Sequence, residues 1–470
     1  MLSFSISGSY TDLYEVTMAE AYFLEGRGHD TACFDYFFRK IPNQGGYVIF
    51  AGLQDVLDVL SDLHFTDDDL YFLRQLKIHD SFIDYLKNFR FSCDVYSCPE
   101  GDTIFPNAPI LRVQGNIIEA QIVETLLLNI LNFESLVATK ASRMKQVARS
   151  KALSDFGLRR AQGMGSILAT KASIIGGFQS TSNVYAARLY GLTAVGTMAH
   201  SFVESYDSEI EAFRAFARSR PEDCVFLVDT YDTLKSGIPN AITVSKEMEQ
   251  RGYRANGIRL DSGDLAFLSR AARKMLDAEG LQYLKIVASN QIDEFVIKSL
   301  IEQEAPIDVF GVGTRLVTGQ PDAALDGVYK LSMASGKPRL KLSESLEKMI
   351  LPGIKLVLRV IDKDGMFLGA DAVVLDEEGE KAAIIYHPFD PKKFMDIANY
   401  DQQSLLQKVM SNGKKIACER SLEDIAGYAL SRLALLPGEY KRFENPHRYK
   451  VGASKKLLEL RETLRGQHKT

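Results

Sequence analysis

Apolar, strand-like segments recur in the centre of this chain near Val195, Leu227, Ile258, Val287 and Phe310, at steps of 32, 31, 29 and 23 residues. The intervals carry helical periodicity, as in Ser208–Ala217 and Leu265–Asp277. A strand–helix unit repeated about every 30 residues implies parallel strands, because a parallel connection must cross back over the sheet and a helix fills the crossing. Each apolar segment also runs into polar or glycine-rich residues: Thr197 with His200, Asp229-Thr230, Arg259 with Asp261-Ser262, Ser289-Asn290, and Gly311-Val312-Gly313-Thr314. A core strand has no packing reason to end this way. Strand C-termini in α/β folds converge on one face, so the pattern predicts an α/β barrel with its site at one mouth.

On either side of this region the texture differs. Asp12-x-x-Glu15 reads as a capping box opening a helix that stops near Gly26, and Thr31–Phe38 reads as a strand closed by Arg39–Pro42. Helical patterns follow around Leu53–Leu60 and Asp67–Asn88. Proline- and glycine-broken β structure runs from Cys93 to Gly115, and one or two long helices from Ile117 to about Lys151. From Asp326 the chain reads as β-rich (Val328–Ser332, Leu340–Leu342, Ile354–Ile361) and then helical, ending in a charged amphipathic helix at Lys455–Arg465. The expected division is therefore an N-terminal α/β domain over 1–150, open to completion by later segments, a barrel core over 151–325, and a C-terminal α+β extension over 326–470.

A net charge of −5 over 470 residues gives no footprint for nucleic acid or an anionic membrane, so an anionic ligand needs a local basic pocket. The cysteines (Cys33, Cys93, Cys98, Cys224, Cys418) are odd in number and form no CxxC pair, which reads as free thiols in a reducing compartment. The N-terminus lacks the basic start and apolar core of a signal peptide, and no apolar run approaches the roughly 18 residues of a membrane span. The expectation is a cytoplasmic protein.

Several strand ends carry chemistry. Arg259 and Asp261, two residues apart, point to one face of a straight strand; they fit either a structural ion pair or an anion grip with a carboxylate beside it. His200 precedes Ser201-Phe-Val-Glu204, a capping-box pattern that would start a helix behind it, so a histidine would face a phosphate-friendly helix start. Arg159 and Arg160 lie between Gly157 and Gly163 and suit a phosphate or diphosphate, or a solvated turn. Gly311 and Gly313, leading into Thr314, fit a phosphate cradle or a tight βα turn, and Ser289-Asn290 one strand earlier favours the cradle. The dinucleotide fingerprint fails because Leu316 stands where its third glycine belongs, and no Walker A sequence occurs. Val225–Thr233 has only a superficial likeness to the acid-and-threonine loop of purine-type phosphoribosyltransferases, since its acids, Asp229 and Asp232, are separated.

Together these segments resemble the nicotinate phosphoribosyltransferase family along nearly the whole chain. The matching stretches are Thr11–Ala19, Phe38–Tyr47, Phe156–Gly163, Gly176–Asn183, Gly196–Phe202, Gly257–Asp264, Ala288–Asn290 and Gly311–Thr314. The resemblance implies a type II phosphoribosyltransferase: an irregular α/β barrel with an N-terminal α/β domain and a C-terminal α+β extension. It implies synthesis of nicotinate mononucleotide and diphosphate from nicotinate and 5-phosphoribosyl 1-diphosphate, in NAD salvage. ATP hydrolysis would be coupled through a phosphohistidine at His200. By the same resemblance Tyr14, Thr197 and Arg259 contact nicotinate, and Thr314 contacts phosphoribosyl diphosphate. Arg159, Arg160, Ser289, Asn290, Gly311 and Gly313 are the further candidates for that substrate, and Asp261 is a candidate catalytic group. Magnesium is expected with the phosphate substrates, its ligands unassigned. A homodimer with shared active sites is expected, in which Tyr14 serves the neighbouring subunit. Met198 stands where the nicotinamide-using relatives carry an acid, which favours a carboxylate substrate. Nicotinamide or quinolinate transfer, and a non-catalytic nucleotide-binding sensor, are the alternatives.

Overall fold

The computed structural model describes residues 6–342 and 350–467. Two compact units are formed, one from Met1–Thr139 with Ala324–Thr470, the other from Lys140–Ala323.

The first unit is built on a seven-stranded antiparallel sheet whose order interleaves the two ends of the chain. Thr31–Phe38, buried at all but its first residue, pairs on one side with Leu111–Asn116 and on the other with Gly327–Ala334. Asp94–Ser97 lies beyond Leu111–Asn116 and is itself paired by Gln407–Ser411. Helices Leu13–Leu24, Leu53–Asp62, Asp67–Gln75, Asp80–Lys87 and Ile117–Ile122 contribute apolar faces to the core here. A second sheet of six strands includes Lys355–Ile361, Phe367–Leu375 and Lys450–Ala453.

At the join of these segments Arg359 is fully buried. Its guanidinium donates to Asp102 Oδ1 (2.8 Å), to Asp371 Oδ1 and Oδ2 (both 3.1 Å) and to the Thr103 carbonyl (2.7 Å). Tyr428 donates to the other oxygen of Asp102 (3.0 Å) and Tyr449 to Asp371 Oδ1 (2.8 Å). An enclosed charge is tolerated only when paired and hydrogen-bonded in this way.

The second unit carries six parallel strands: β1 (Ala152–Asp155), β2 (Ser180–Thr181), β3 (Val225–Leu227), β4 (Gly257–Leu260), β5 (Lys285–Ser289) and β6 (Val309–Val312). Their order is β2-β1-β6-β5-β4-β3. Ala194 makes a further parallel bridge to Thr181, outside β2. The residues that follow the two edges meet: His200, beyond Ala194, touches Thr230, beyond β3, and Thr197 bonds to Arg259 on β4. The sheet therefore curls into an irregular barrel, closed between Ala194 and β3 by side chains. Helices Ile238–Gln250, Leu265–Ala278 and Glu294–Glu302 follow β3, β4 and β5. Asp264 caps the second through Phe267 N (2.9 Å), and Asp293 caps the third through Phe295 N (3.0 Å) and Val296 N (2.9 Å).

Several sequence expectations are corrected. The segment near Val195 makes only the Ala194 bridge, while β1 was not anticipated. The Asp12–Glu15 box does not form, because both carboxylates turn to Thr125. The Asp67–Asn88 pattern is two helices, broken where Lys77 adopts φ 62° and His79 caps the second. Leu340–Leu342 is not a strand. The C-terminal part continues as strands to Lys415 before the helices Leu422–Leu435 and Lys455–Gln467.

Arg359→Ala would take the guanidinium from buried Asp371 and leave buried Asp102 with Arg432 (3.1 Å) as its cation. We expect a loss of about 3–5 kcal/mol in unfolding free energy, the usual cost of breaking a buried ion pair, measured by urea denaturation with a probe in the first unit.

Candidate active site

The site grows from the C-terminal ends of the barrel strands. Arg259 sits on β4 with only 13 % of its side chain exposed. Its Nε donates to Ser289 Oγ at the end of β5 (2.8 Å), one terminal nitrogen to Thr197 Oγ1 (2.9 Å) and the other to Asp261 Oδ1 (2.6 Å). Ser289 Oγ also donates to Asp261 Oδ1. The Phe156 ring lies 5.7 Å from the guanidinium carbon, a cation–π distance that favours the charge. Burial pulls the Asp261 carboxyl upward, but the Ser289 hydroxyl and the Arg259 charge outweigh it and hold it below the usual aspartate range. Asp261 is thus ionised at neutral pH.

Asp229, past β3, supports this pair from behind. Its Oδ2 accepts from Asp261 N (2.8 Å) and Ser262 Oγ (2.6 Å), while its Oδ1 is buried with no hydrogen-bond partner among the described residues. The half-buried His200 places Nδ1 3.1 Å from Thr230 Oγ1 and Nε2 3.9 Å from Asp261 Oδ2. One correction applies here: Ser201 is not an N-cap. The helix is only His200–Glu204, it begins at the histidine itself, and Ala199 precedes it without a side-chain cap.

The remaining candidates stand further round the same rim. Arg159 and Arg160 form an exposed turn beyond β1. Below them Asp155 accepts from Gly157 N (2.8 Å), Thr170 Oγ1 (2.7 Å) and Thr181 Oγ1 (2.9 Å), and burial raises its carboxyl. Asn290 follows β5 in the left-handed region, φ 76°. Gly311 faces Phe156, whose ring carbon would lie 2.4 Å from an added Cβ, so packing alone requires glycine there. Gly313 approaches the Phe156 carbonyl, and Thr314 opens the short helix Thr314–Val317. Tyr14 belongs to the first unit, about half exposed in the first turn of Leu13–Leu24; burial and the nearby Glu124 and Glu15 carboxylates raise its hydroxyl pKa.

Sequence reasoning did not select Asp229, Thr230, Asp155 or Phe156 as site residues. Asp229 and Thr230 carried a signal, an acid and a hydroxyl at a strand end, whereas Asp155 ends a strand too short to announce itself. Among the described residues no group of three or more histidine, cysteine or acidic side chains is arranged to hold a metal alone. The unpartnered Asp229 Oδ1 and the ionised Asp261 nevertheless fit a magnesium ion that brings phosphate oxygens as its other ligands.

Fold and site define an α/β-barrel enzyme whose strand ends gather an arginine, two aspartates and a histidine. The sequence matches the nicotinate phosphoribosyltransferase (NAPRTase) family over residues 151–378, the NAPRTase N-terminal domain over 10–132 and the NAPRTase C-terminal domain over 354–461. It is 42 % identical to the nicotinate phosphoribosyltransferase of Bacillus subtilis (strain 168), covering 95 % of this chain and 92 % of the relative. The Homo sapiens relative is 34 % identical, covering 97 % and 96 %. A crystal structure of human nicotinic acid phosphoribosyltransferase superposes with a TM-score of 0.86 at 32 % identity, covering 97 % of this chain and 99 % of that one. The nicotinate-nucleotide pyrophosphorylase of Pyrococcus furiosus shares the fold, with a TM-score of 0.72 at 23 % identity over 93 % and 99 %. The chain belongs to the nicotinate phosphoribosyltransferase family.

Gly311→Ala would push Phe156 from beneath Arg259. Thermal unfolding should register a loss of about 1–3 kcal/mol, as for other overpacked sites.

Proposed function

We propose that this chain joins nicotinate to 5-phosphoribosyl 1-diphosphate, releasing nicotinate mononucleotide and diphosphate, and couples the reaction to ATP hydrolysis through a phosphohistidine at His200. The product feeds NAD salvage. The observation that carries this reading is the anchored Arg259, with Asp261 and His200 beside it, in a chain of this family. A guanidinium offers five N–H groups; the contacts to Ser289, Thr197 and Asp261 leave others for the nicotinate carboxylate. Fixed at three points, Arg259 aims the pyridine nitrogen at the ribose without reorganising. Met198, beside Thr197, is buried and uncharged, which favours a carboxylate over an amide substrate.

Arg159, Arg160, Ser289, Asn290, Gly311, Gly313 and Thr314 form the phosphoribosyl diphosphate side in this reading. Asp229 and Asp261 would hold magnesium, which when bound neutralises charge on the diphosphate leaving group. Thr230 orients the His200 ring through Nδ1, and the Asp261 carboxylate lies 3.9 Å from its Nε2. A phosphate on His200 would add charge at the mouth and favour the form that binds phosphoribosyl diphosphate.

The enzyme acts as a homodimer with shared sites in this proposal, the partner subunit's Tyr14 lying on the nicotinate ring. Exposed apolar side chains from successive strand–helix connections support it: Leu158, Val184, Tyr185, Tyr231, Phe267 and Phe295. The reaction is assigned to the cytoplasm, in keeping with five free cysteines; no helix among the described residues is long and apolar enough to cross a membrane.

Purified protein assayed with nicotinate, nicotinamide and quinolinate, with and without ATP, should turn over nicotinate preferentially and faster with ATP. Arg259→Ala should then reduce kcat/KM for nicotinate about 10- to 150-fold, the equivalent of losing a charged hydrogen bond of about 1.5–3 kcal/mol. Unchanged nicotinate kinetics would reject the assignment.

His200→Asn keeps a similar polar volume but cannot carry a phosphoramidate. With γ-labelled ATP the parent should acquire an acid-labile, base-stable label, and the variant neither the label nor stimulation by ATP. A variant that still labels on histidine and still couples ATP would leave His200 a structural residue.

A further inference from the structure

The turn that carries Phe156, Arg159 and Arg160 hangs from one buried carboxyl group. Asp155 ends β1 and is buried. Its Oδ1 accepts from Gly157 N (2.8 Å). Its Oδ2 accepts from Thr170 Oγ1 (2.7 Å) on helix Gly165–Ile175 and from Thr181 Oγ1 (2.9 Å) on β2. Phe156 N donates to the Val312 carbonyl at the end of β6 (2.8 Å), and the Gly157 carbonyl accepts from Arg160 N (2.8 Å) and Ala161 N (3.2 Å). Dependence therefore runs from Asp155 to Gly157, and from Gly157 to Arg160. The two arginine side chains are exposed, so the backbone of the turn sets where they stand.

The neighbours of Asp155 show which of its properties the turn needs. Burial raises its carboxyl, so a charge there is a cost. Thr170 Oγ1 also lies 3.1 Å from the Ser166 carbonyl, and Thr181 Oγ1 3.4 Å from the Asp155 carbonyl. Each hydroxyl has one proton, which it can turn to that carbonyl while its oxygen accepts. Asn183 already donates to both hydroxyls, through Nδ2 to Thr170 (3.3 Å) and through N to Thr181 (3.0 Å). An amide side chain at position 155 would thus donate to both threonines and still accept from Gly157 N. A short apolar side chain would lose the acceptor for Gly157 N altogether.

We propose that Asp155 is a positioning residue whose Oδ1, by holding Gly157 N, sets the turn that presents Arg159 and Arg160 to phosphoribosyl diphosphate. The inference rests on the reading of those arginines given above. Phe156 keeps a separate hold, with its own amide on Val312 and its ring packed on Gly311, so the nicotinate side depends less on Asp155. The charge of Asp155 takes no part.

The test is the KM for each substrate, measured on the full-length enzyme. Asp155→Ala should raise the KM for phosphoribosyl diphosphate about tenfold, the upper end for one lost hydrogen bond, and that for nicotinate by less than about twofold, the lower end. Asp155→Asn should bring both back to the parent's values. Should Asp155→Ala not fold, Asp155→Ala combined with Thr170→Val takes its place, with the same expected split. In that variant Thr181 keeps the main-chain carbonyl at 155, and Asn183 Nδ2 keeps the Ser166 carbonyl (3.4 Å), so neither is left unmatched. A residue that only supports the fold would lower the unfolding temperature and leave both KM values alone; that result would overturn the proposal. Asp155→Asn as impaired as Asp155→Ala would overturn it too, because charge would then be the requirement. Arg159→Ala with Arg160→Ala separates the two readings. An unchanged KM for phosphoribosyl diphosphate would remove the arginines from that substrate and the proposal with them. A raised one there, beside an unchanged one in Asp155→Ala, would overturn the positioning role alone.

Discussion

Most of the barrel's geometry answers to one buried charge. Arg259 is enclosed, so its guanidinium must be solvated by the protein itself, and no single neighbouring strand can do that. Ser289 comes from the end of β5, Thr197 from beyond Ala194 and Asp261 from beyond β4. Asp229, beyond β3, then fixes Asp261 through its backbone amide. Four strand ends are thus located relative to one planar, five-donor group. The backbone ladder is interrupted between Ala194 and β3, and this polar set closes the gap. Barrel closure and the anchoring of Arg259 are therefore the same interactions. A lysine in place of Arg259 would keep the charge and lose the fork that joins the three partners.

What the sequence made legible follows from how each feature is encoded. Strands β3 to β6 were visible because each joins an apolar run to an abrupt polar ending, at a spacing a crossover helix requires. β1 and β2 were not. Ala152-Leu-Ser-Asp155 has one large apolar residue, and Ser180-Thr181 has none, so neither differs locally from loop. They are strands only because β6 and β1 offer them parallel partners. The Arg259–Asp261 pair was legible from its two-residue spacing. The support Asp229 gives it was not, because that contact spans 32 residues in sequence. His200 was found for a reason that proved partly wrong: the capping pattern behind it does not form, and its orientation comes from Thr230.

The first unit shows the same limit at longer range. Thr31–Phe38 is read as a strand from its aromatic content, but nothing near it names Gly327–Ala334 as its neighbour. Likewise Arg359, Asp371, Tyr428 and Tyr449 gather around Asp102 and Thr103 from the far end of the chain. Local pattern encodes an element and its exposed face. Pairing partners are set by which buried polar groups can satisfy one another after collapse, and that is a property of the packed state.

Where packing is frustrated, function becomes visible. Most buried polar atoms around Arg259 are matched, yet Asp229 Oδ1 is left without a partner beside two satisfied contacts on its other oxygen. An unmet buried acceptor costs about 1–3 kcal/mol, and a neutral side chain at 229 would avoid that cost at the expense of the Asp261 and Ser262 contacts. This unmet oxygen belongs to the carboxylate that holds the backbone of an ionised Asp261. A cation arriving with phosphate oxygens would satisfy it.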